Sequence, residues 1–211
     1  MVNDPDSFKK IAAEEAVKDV RSGMVLGLGT GSTVKYVILK IAELVRSGKL
    51  TNIVGIPSSV QTEKLAKENG IELTSFQAHQ AIDLTIDGAD EVDPNLNLIK
   101  GGGGALTREK IVASASRRFV CIVDESKKVG VLGKFPLPVE VIPMGRSYVA
   151  RQLVALGGQP ELREGFQTDN GNLILDVHNF MIPQPLQMES RINDIVGVVA
   201  NGLFARRPAD R

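Results

Sequence analysis

The stretch 24-MVLGLGTGSTVKYVILKIAELV-45 joins a short apolar run to an amphipathic segment through a glycine-rich turn. Met24 to Leu28 reads as a buried strand, and Val34, Val37, Ile38, Ile41 and Val45 recur at helical spacing. This is the opening βα unit of a parallel sheet. Downstream the pattern repeats. Ile53 to Ile56 is a strand, Ser58 and Gln61 stand at capping-box spacing before a helix that Gly70 ends, and Ile71 to Thr74 is a third strand. Ile82, Leu84 and Ile86 alternate with Asp83 and Thr85 as a fourth, and Leu96 to Ile99 adds apolar backbone. Leu106, Ile111, Val112 and Ala115 mark another helix, and Phe119 to Val123 closes the series as a buried strand. Upstream, Phe8, Ile11, Ala12, Ala16 and Val20 predict an amphipathic helix that starts after the turn signal Asp4-Pro5 and runs to about Gly23.

The rhythm breaks at 132-LGKFPLPVEVIP-143, where three prolines announce a second module. Val139 to Ile142 is a strand, Tyr148 to Leu156 a helix, and Glu161 to Phe166 an irregular strand that leads into the turn signal Asp169-Asn170-Gly171. Leu173 to Val177 returns, Leu186 to Ile195 is a helix, and Val198 to Leu203 is a strand. The order βαββαβ is that of a split-βαβ, ferredoxin-like sandwich. The fold class is therefore α/β: a parallel-sheet domain over residues 1–130, completed by 205–211, and a smaller α+β domain over 131–204.

A chain of 211 residues with formal net charge near zero, two tyrosines and no tryptophan lacks the basic, aromatic surface of a nucleic-acid binder. The N-terminus, MVNDPDSFKK, lacks the basic start and apolar core of a signal peptide, and no apolar run approaches membrane-spanning length. The expectation is a cytoplasmic protein with neither membrane nor nucleic-acid partners. Cys121, the single cysteine, sits in FVCIVD and reads as a buried structural thiol.

Two loops carry chemistry. In an open parallel sheet, ligands gather beyond the carboxyl ends of the strands. There, Thr30, Gly31, Ser32 and Thr33 open a helix whose free N–H groups and dipole favour an anion such as phosphate. Gly27, Gly29 and Ser32 only approximate a dinucleotide fingerprint, and no ribose-binding acid follows the second strand, so a nicotinamide cofactor is disfavoured. The second loop is 87-DGADEVDPNLNLIKGGGGALTREK-110. Asp87 ends a buried strand, Lys100 precedes four glycines that add no apolar surface to the core, and Glu109 lies in the first turn of the next helix. An aspartate, a lysine and a glutamate on neighbouring loops supply base, proton shuttle and electrostatic stabiliser for proton abstraction beside a carbonyl. Glu91 and Asp93, beside Pro94, read instead as solvated turn formers. His79 and His178 lack metal-ligand spacing.

GLGTGST, DGADEVD, KGGGGALTREK, LGKFPLPVEVIPM, TDNGN and GLFARRPAD, in this order, closely resemble the A-type ribose-5-phosphate isomerases. The resemblance implies a Rossmann-like catalytic domain carrying a smaller α/β domain. It also implies interconversion of ribose 5-phosphate and ribulose 5-phosphate in the pentose phosphate pathway, no metal or organic cofactor, and a homodimer or larger homo-oligomer. By motif, the proton acceptor falls on Glu109, and substrate contacts fall on Thr30, Gly31, Ser32, Thr33, Asp87, Gly88, Ala89, Asp90, Lys100, Gly101, Gly102 and Gly103. Asp90 joins Asp87, Lys100 and Glu109 in the catalytic set, Lys127 matches a further substrate lysine, and Lys9 matches an N-terminal lysine near the phosphate. Members of the family continue past the GLFA strand into another strand that returns to the first domain, whereas this sequence stops at Arg211. A non-catalytic sugar-phosphate sensor and a coenzyme A transferase are the alternatives on the same scaffold.

Overall fold

A computed structural model of the chain describes residues 5–211. In chain order the elements are α1 (Pro5–Val17), β1 (Val25–Leu28), α2 (Ser32–Arg46), β2 (Val54–Pro57), α3 (Val60–Glu68), β3 (Glu72–Leu73) and β4 (Ile82–Asp87). They continue with β5 (Glu91–Val92), β6 (Leu98–Ile99), α4 (Leu106–Ser114), β7 (Ser116–Cys121), β8 (Leu137–Val141) and α5 (Arg146–Ala155). β9 (Gln159–Leu162), β10 (Leu173–His178), α6 (Pro185–Asn193), β11 (Val198–Asn201) and β12 (Leu203–Phe204) complete the set.

The chain divides into two compact units. The first runs to Gly88 and adds Arg108–Ser126 and Ala209–Arg211. Its sheet is parallel with order β3-β2-β1-β4-β7, so β1 has β2 on one side and β4 on the other. This is a topological switch point, and it sets the loops after β1 and β4 side by side: the Gly29 N–H donates to the Ile86 carbonyl at 3.1 Å. α2 covers the sheet with Val34, Val37, Ile38, Ile41 and Ala42, the stripe its sequence spacing predicts, while Val45 is only half-buried. Val112 of α4 packs with Ile56 and Ile82. Residues 209–211 run along the outer edge of β7, where the Asp210 N–H donates to the Phe119 carbonyl, Asp210 Oδ2 accepts the Phe119 N–H at 2.7 Å and the Cys121 N–H donates to the Arg211 carbonyl.

The second unit comprises Ala89–Thr107 and Lys127–Pro208. Its larger sheet is antiparallel with order β11-β8-β10-β9, the arrangement expected of βαββαβ, with α5 and α6 supplying Val149, Leu153 and Ile192 to its core. A second, three-stranded sheet has order β12-β6-β5.

Several sequence expectations change. A single boundary near residue 130 is replaced by a division that gives 89–107 and 205–208 to the second unit, because β5 pairs with β6 and β6 with β12, none of them with the parallel sheet. α1 stops at Val17, where Lys18, Asp19 and Val20 bond the carbonyls three residues back, and its buried face is Ala13, Ala16 and Val17 with Phe8 and Ile11 exposed. The turn expected at Asp4-Pro5 reaches outside the described residues. The α3 cap is Ser59, whose hydroxyl accepts the Thr62 N–H, rather than Ser58. Cys121 is partly exposed at the end of β7 instead of buried. The strand expected over 198–203 is broken at Gly202, which donates to the Pro138 carbonyl at 2.8 Å and accepts from the Lys100 N–H at 2.9 Å. Among the described residues no helix is long and apolar enough to cross a membrane.

Gly202 has no room for a side chain, since a Cβ there would stand 2.4 Å from the Lys100 carbonyl oxygen and 2.9 Å from the Pro138 ring. Gly202→Ala is expected to destabilise the protein by about 1–3 kcal/mol, the usual cost of overpacking. A lowered urea midpoint with an unchanged slope would show it, and an unchanged midpoint would mean that the Lys100 backbone yields freely.

Candidate active site

In the first unit the site is organised by Asp87, only 1% exposed at the end of β4. Its Oδ1 accepts the N–H groups of Thr30 at 3.0 Å and of Gly88 at 2.7 Å, which fastens the loop after β1 to the end of β4. Gly29 makes this approach possible, because a Cβ at that position would lie 2.3 Å from Asp87 Oδ1 and 2.7 Å from its Cα. The Thr30 hydroxyl is held within the protein, 2.8 Å from Ser58 Oγ, 2.9 Å from Ser59 Oγ and 3.2 Å from Thr62 Oγ1. Thr62 in turn donates to the Gly29 carbonyl at 2.8 Å. Ser58, Ser59 and Thr62 are buried supports that the sequence reading did not include; the run of hydroxyl residues opening α3 was the available signal.

Gly31 caps α2 with φ 121° and has no side chain to occupy the first N–H groups of the helix, which leaves them to Ser32, Thr33 and whatever anion approaches. A cleft of about 570 Å³ beside this turn is lined by Gly29, Gly31, Ser32, Lys35, Gln61 and Lys64, so cations stand near the helix start. Glu109 is 6% exposed and lies one turn before Val112, on the face of α4 that packs on the sheet. Lys9, on α1, pairs with Asp6 at 3.3 Å rather than with the Thr30–Thr33 loop.

In the second unit the Asp90 N–H donates to the Ile99 carbonyl at 2.8 Å, and Asp90 Oδ2 accepts the Gly102 N–H at 2.8 Å. The structure thus joins Asp90 to the glycine run. Lys100 is 2% exposed, with its Nζ 5.6 Å from the centroid of the Phe204 ring, a cation–π distance. Ala89 begins this unit, and Lys127 closes the short helical turn Glu125–Lys127.

Glu91 is not a solvated turn former. It is buried and accepts the N–H groups of Gly133 at 2.7 Å and Phe135 at 2.5 Å. Asp93 does form the expected turn, accepting from the N–H groups of Asn95 and Asn97, but it too is buried. His79 is bonded to Thr74, and His178 lies 3.5 Å from Glu161.

Residues 54–211 match the family model of ribose 5-phosphate isomerase A (phosphoriboisomerase A). The chain is similar in structure to ribose 5-phosphate isomerase A from Neisseria gonorrhoeae, at 49% identity and a TM-score of 0.95, over 100% of this chain and 92% of that one. A D-ribose-5-phosphate isomerase in complex with phospho-erythronic acid is 46% identical with a TM-score of 0.94, over 96% of this chain and 92% of the other. The ribose 5-phosphate isomerase A of Methanocaldococcus jannaschii is 44% identical with a TM-score of 0.93, over 98% and 93%. Matched by the family model over most of its length and by these structures almost throughout, the chain belongs to the ribose 5-phosphate isomerase A family, aldose–ketose isomerases of the pentose phosphate pathway.

Proposed function

We propose that this chain interconverts ribose 5-phosphate and ribulose 5-phosphate through an enediolate, with Glu109 as the base. The observation that carries the assignment is the burial of Asp87, Lys100 and Glu109, all under a tenth exposed. Burying ionisable groups is costly, and a fold that retains three in its family motifs uses them for more than solubility. The phospho-erythronic acid complex of a relative supports a sugar-phosphate ligand, since that compound joins a phosphate to an anionic, planar carboxylate.

The first N–H groups of α2, the Ser32 and Thr33 hydroxyls and Lys127 hold the phosphate. Thr30 contributes by fixing the loop, its N–H on Asp87 and its hydroxyl on Ser58. Asp87 assists ring opening and moves the hydroxyl proton between the oxygens on carbons 1 and 2. Glu109 removes the proton from carbon 2, and the electron pair of that C–H bond becomes the carbon 1–carbon 2 double bond as the aldehyde oxygen takes negative charge. Return of the proton from Glu109 to carbon 1 completes the ketose, with no net oxidation. Lys100 and N–H groups of the glycine run stabilise the oxygen charge, which is greatest along the reaction path and absent from the substrate. Asp90 holds that run in place through Gly102.

The homo-oligomer and the cytoplasmic location implied by the family belong to this proposal. Support for assembly comes from an apolar patch in the second unit: Met144 is fully exposed and Val196 is 80% exposed, and the Ile142 N–H bonds the Gly197 carbonyl beside Val196. Met144→Lys with Val196→Asp should lower the assembly state in sedimentation velocity, and unchanged sedimentation would move the interface elsewhere.

Glu109→Gln should reduce turnover by about 10²- to 10⁴-fold, the usual share of general base catalysis, while KM changes little. Solvent deuterium should no longer enter carbon 2, and near-normal exchange would remove Glu109 from the role of base. Because side chains supply every proton transfer, activity should survive dialysis against EDTA. Loss on dialysis with recovery on adding magnesium would replace Lys100 with a metal as the charge stabiliser.

A further inference from the structure

The glycine run is held from one side by a residue that no motif singles out. Gly101 and Gly104 have φ of 101° and 81°, which other residues rarely adopt, and a Cβ on Gly102 would stand 2.6 Å from Asp90 Oδ1. Gly103 has neither reason to be glycine. It is exposed, and a Cβ there would meet nothing within 4 Å.

The peptide groups on either side of Gly102 are both pinned, and Arg163 does most of the pinning. Its Nη1 donates to the Gly102 carbonyl at 3.1 Å and the Gly101 carbonyl at 3.3 Å. Its Nε and Nη2 donate to the two oxygens of Asp176 at 2.8 and 2.6 Å. The guanidinium also lies 5.4 Å from the centroid of the Phe166 ring, and the Arg163 N–H continues the hairpin by donating to the Ile174 carbonyl at 2.9 Å. A planar fork anchored on its carboxylate side and carried by a hairpin offers a fixed donor to the glycine carbonyls.

We infer that Arg163, oriented by Asp176, is a positioning residue for the isomerase reaction: by holding the Gly102 carbonyl it aims the Gly103 N–H at the enediolate oxygen. This rests on the role given above to the glycine run. A trans peptide is planar, so the Gly102 carbonyl and the Gly103 N–H point in opposite directions, and no cis peptide occurs among the described residues. The preceding peptide is fixed at both ends, with its carbonyl on Arg163 and its N–H on Asp90, so the Gly103 N–H is the donor left pointing outward. A peptide between two glycines meets little steric resistance to turning over. Without Arg163 it turns through a half rotation at small cost and presents a carbonyl oxygen, which repels an enediolate where the N–H would attract it. Lysine in place of Arg163 reaches Asp176 or the carbonyls but not both.

The test is Arg163→Lys, with Asp176→Asn as a variant that leaves the guanidinium in place but loosens it. Removing a whole oxyanion donor costs about 10²- to 10³-fold, and mis-aiming one should cost about 10- to 100-fold in kcat with KM within about threefold. Affinity for phospho-erythronic acid should fall about tenfold while that for inorganic phosphate holds, because only the former places a carboxylate where charge develops. The amide resonance of Gly103 should shift on adding phospho-erythronic acid to the native protein and not to Arg163→Lys. A kcat and a phospho-erythronic acid affinity within about twofold of native would overturn the assignment. So would equal losses for both ligands together with a lowered melting temperature, which mark a strut that only supports the hairpin. Retained turnover in Glu109→Gln would sink the mechanism instead; the Gly103 resonance needs no turnover and still reports whether Arg163 aims that donor.

Discussion

A carboxylate buried at the end of β4 needs donors, and Asp87 takes them from the backbone of Thr30 and Gly88. Leaving that charge unpaired would cost several kcal/mol, roughly the scale of a domain's whole stability. The requirement reaches outward through the first unit. The loop after β1 must close onto β4, Gly29 must lack a side chain to let it, and the Thr30 hydroxyl is then delivered to the Ser58, Ser59 and Thr62 cluster that opens α3. α2 starts where it does because that loop has nowhere else to go. The turn proposed to hold the phosphate is thus shaped by the residue proposed to move the substrate's protons.

The second unit applies the same device to other loops. Glu91 gathers the N–H groups of Gly133 and Phe135, and Glu189 gathers those of Ala205 and Arg206, both at 2.8 Å. Glu140, fully buried on β8, binds Thr107, Thr168 and Asn172 and so joins the start of α4 to the β9–β10 turn. Irregular backbone must find partners for its polar groups, and an apolar core offers none. A buried acid serves several at once and fixes the loop's path in doing so.

The parallel sheet, the βαββαβ order and the motif residues were readable in the sequence because each rests on local periodicity or on spacing along one segment. The βα unit of residues 24–45 is the clearest instance, since its helix stripe and its glycine turn agree. What escaped depends on partners distant in sequence. β5 and β6 are two-residue strands that pair with each other, and β6 pairs in turn with β12, about a hundred residues on, so the unit division could not be drawn from composition. Glu91 looked like a turn residue beside Pro94, yet its partners are at Gly133 and Phe135. Arg163 sits in an unremarkable stretch, and only the fold brings it beneath the glycines. The α1 face was legible only in part: Ala16 and Val20 are buried as their spacing predicts, but Phe8 and Ile11 are exposed and the helix ends at Val17 while the apolar spacing continues.

The edge of β7 is finished by residues 209–211, bonded to Phe119 and Cys121 about ninety positions earlier. Chains emerge from the ribosome from the N-terminus, so the first unit waits with one edge open while the intervening second unit is made. Such long sequence separations slow folding, and an open strand edge is the kind of surface that recruits other chains. The second unit's final strands are in place only a few residues before that edge is covered. Completion of the sheet that carries Asp87 therefore waits on residues that are made after the whole second unit, and until they arrive the nascent chain keeps an edge open to mispairing.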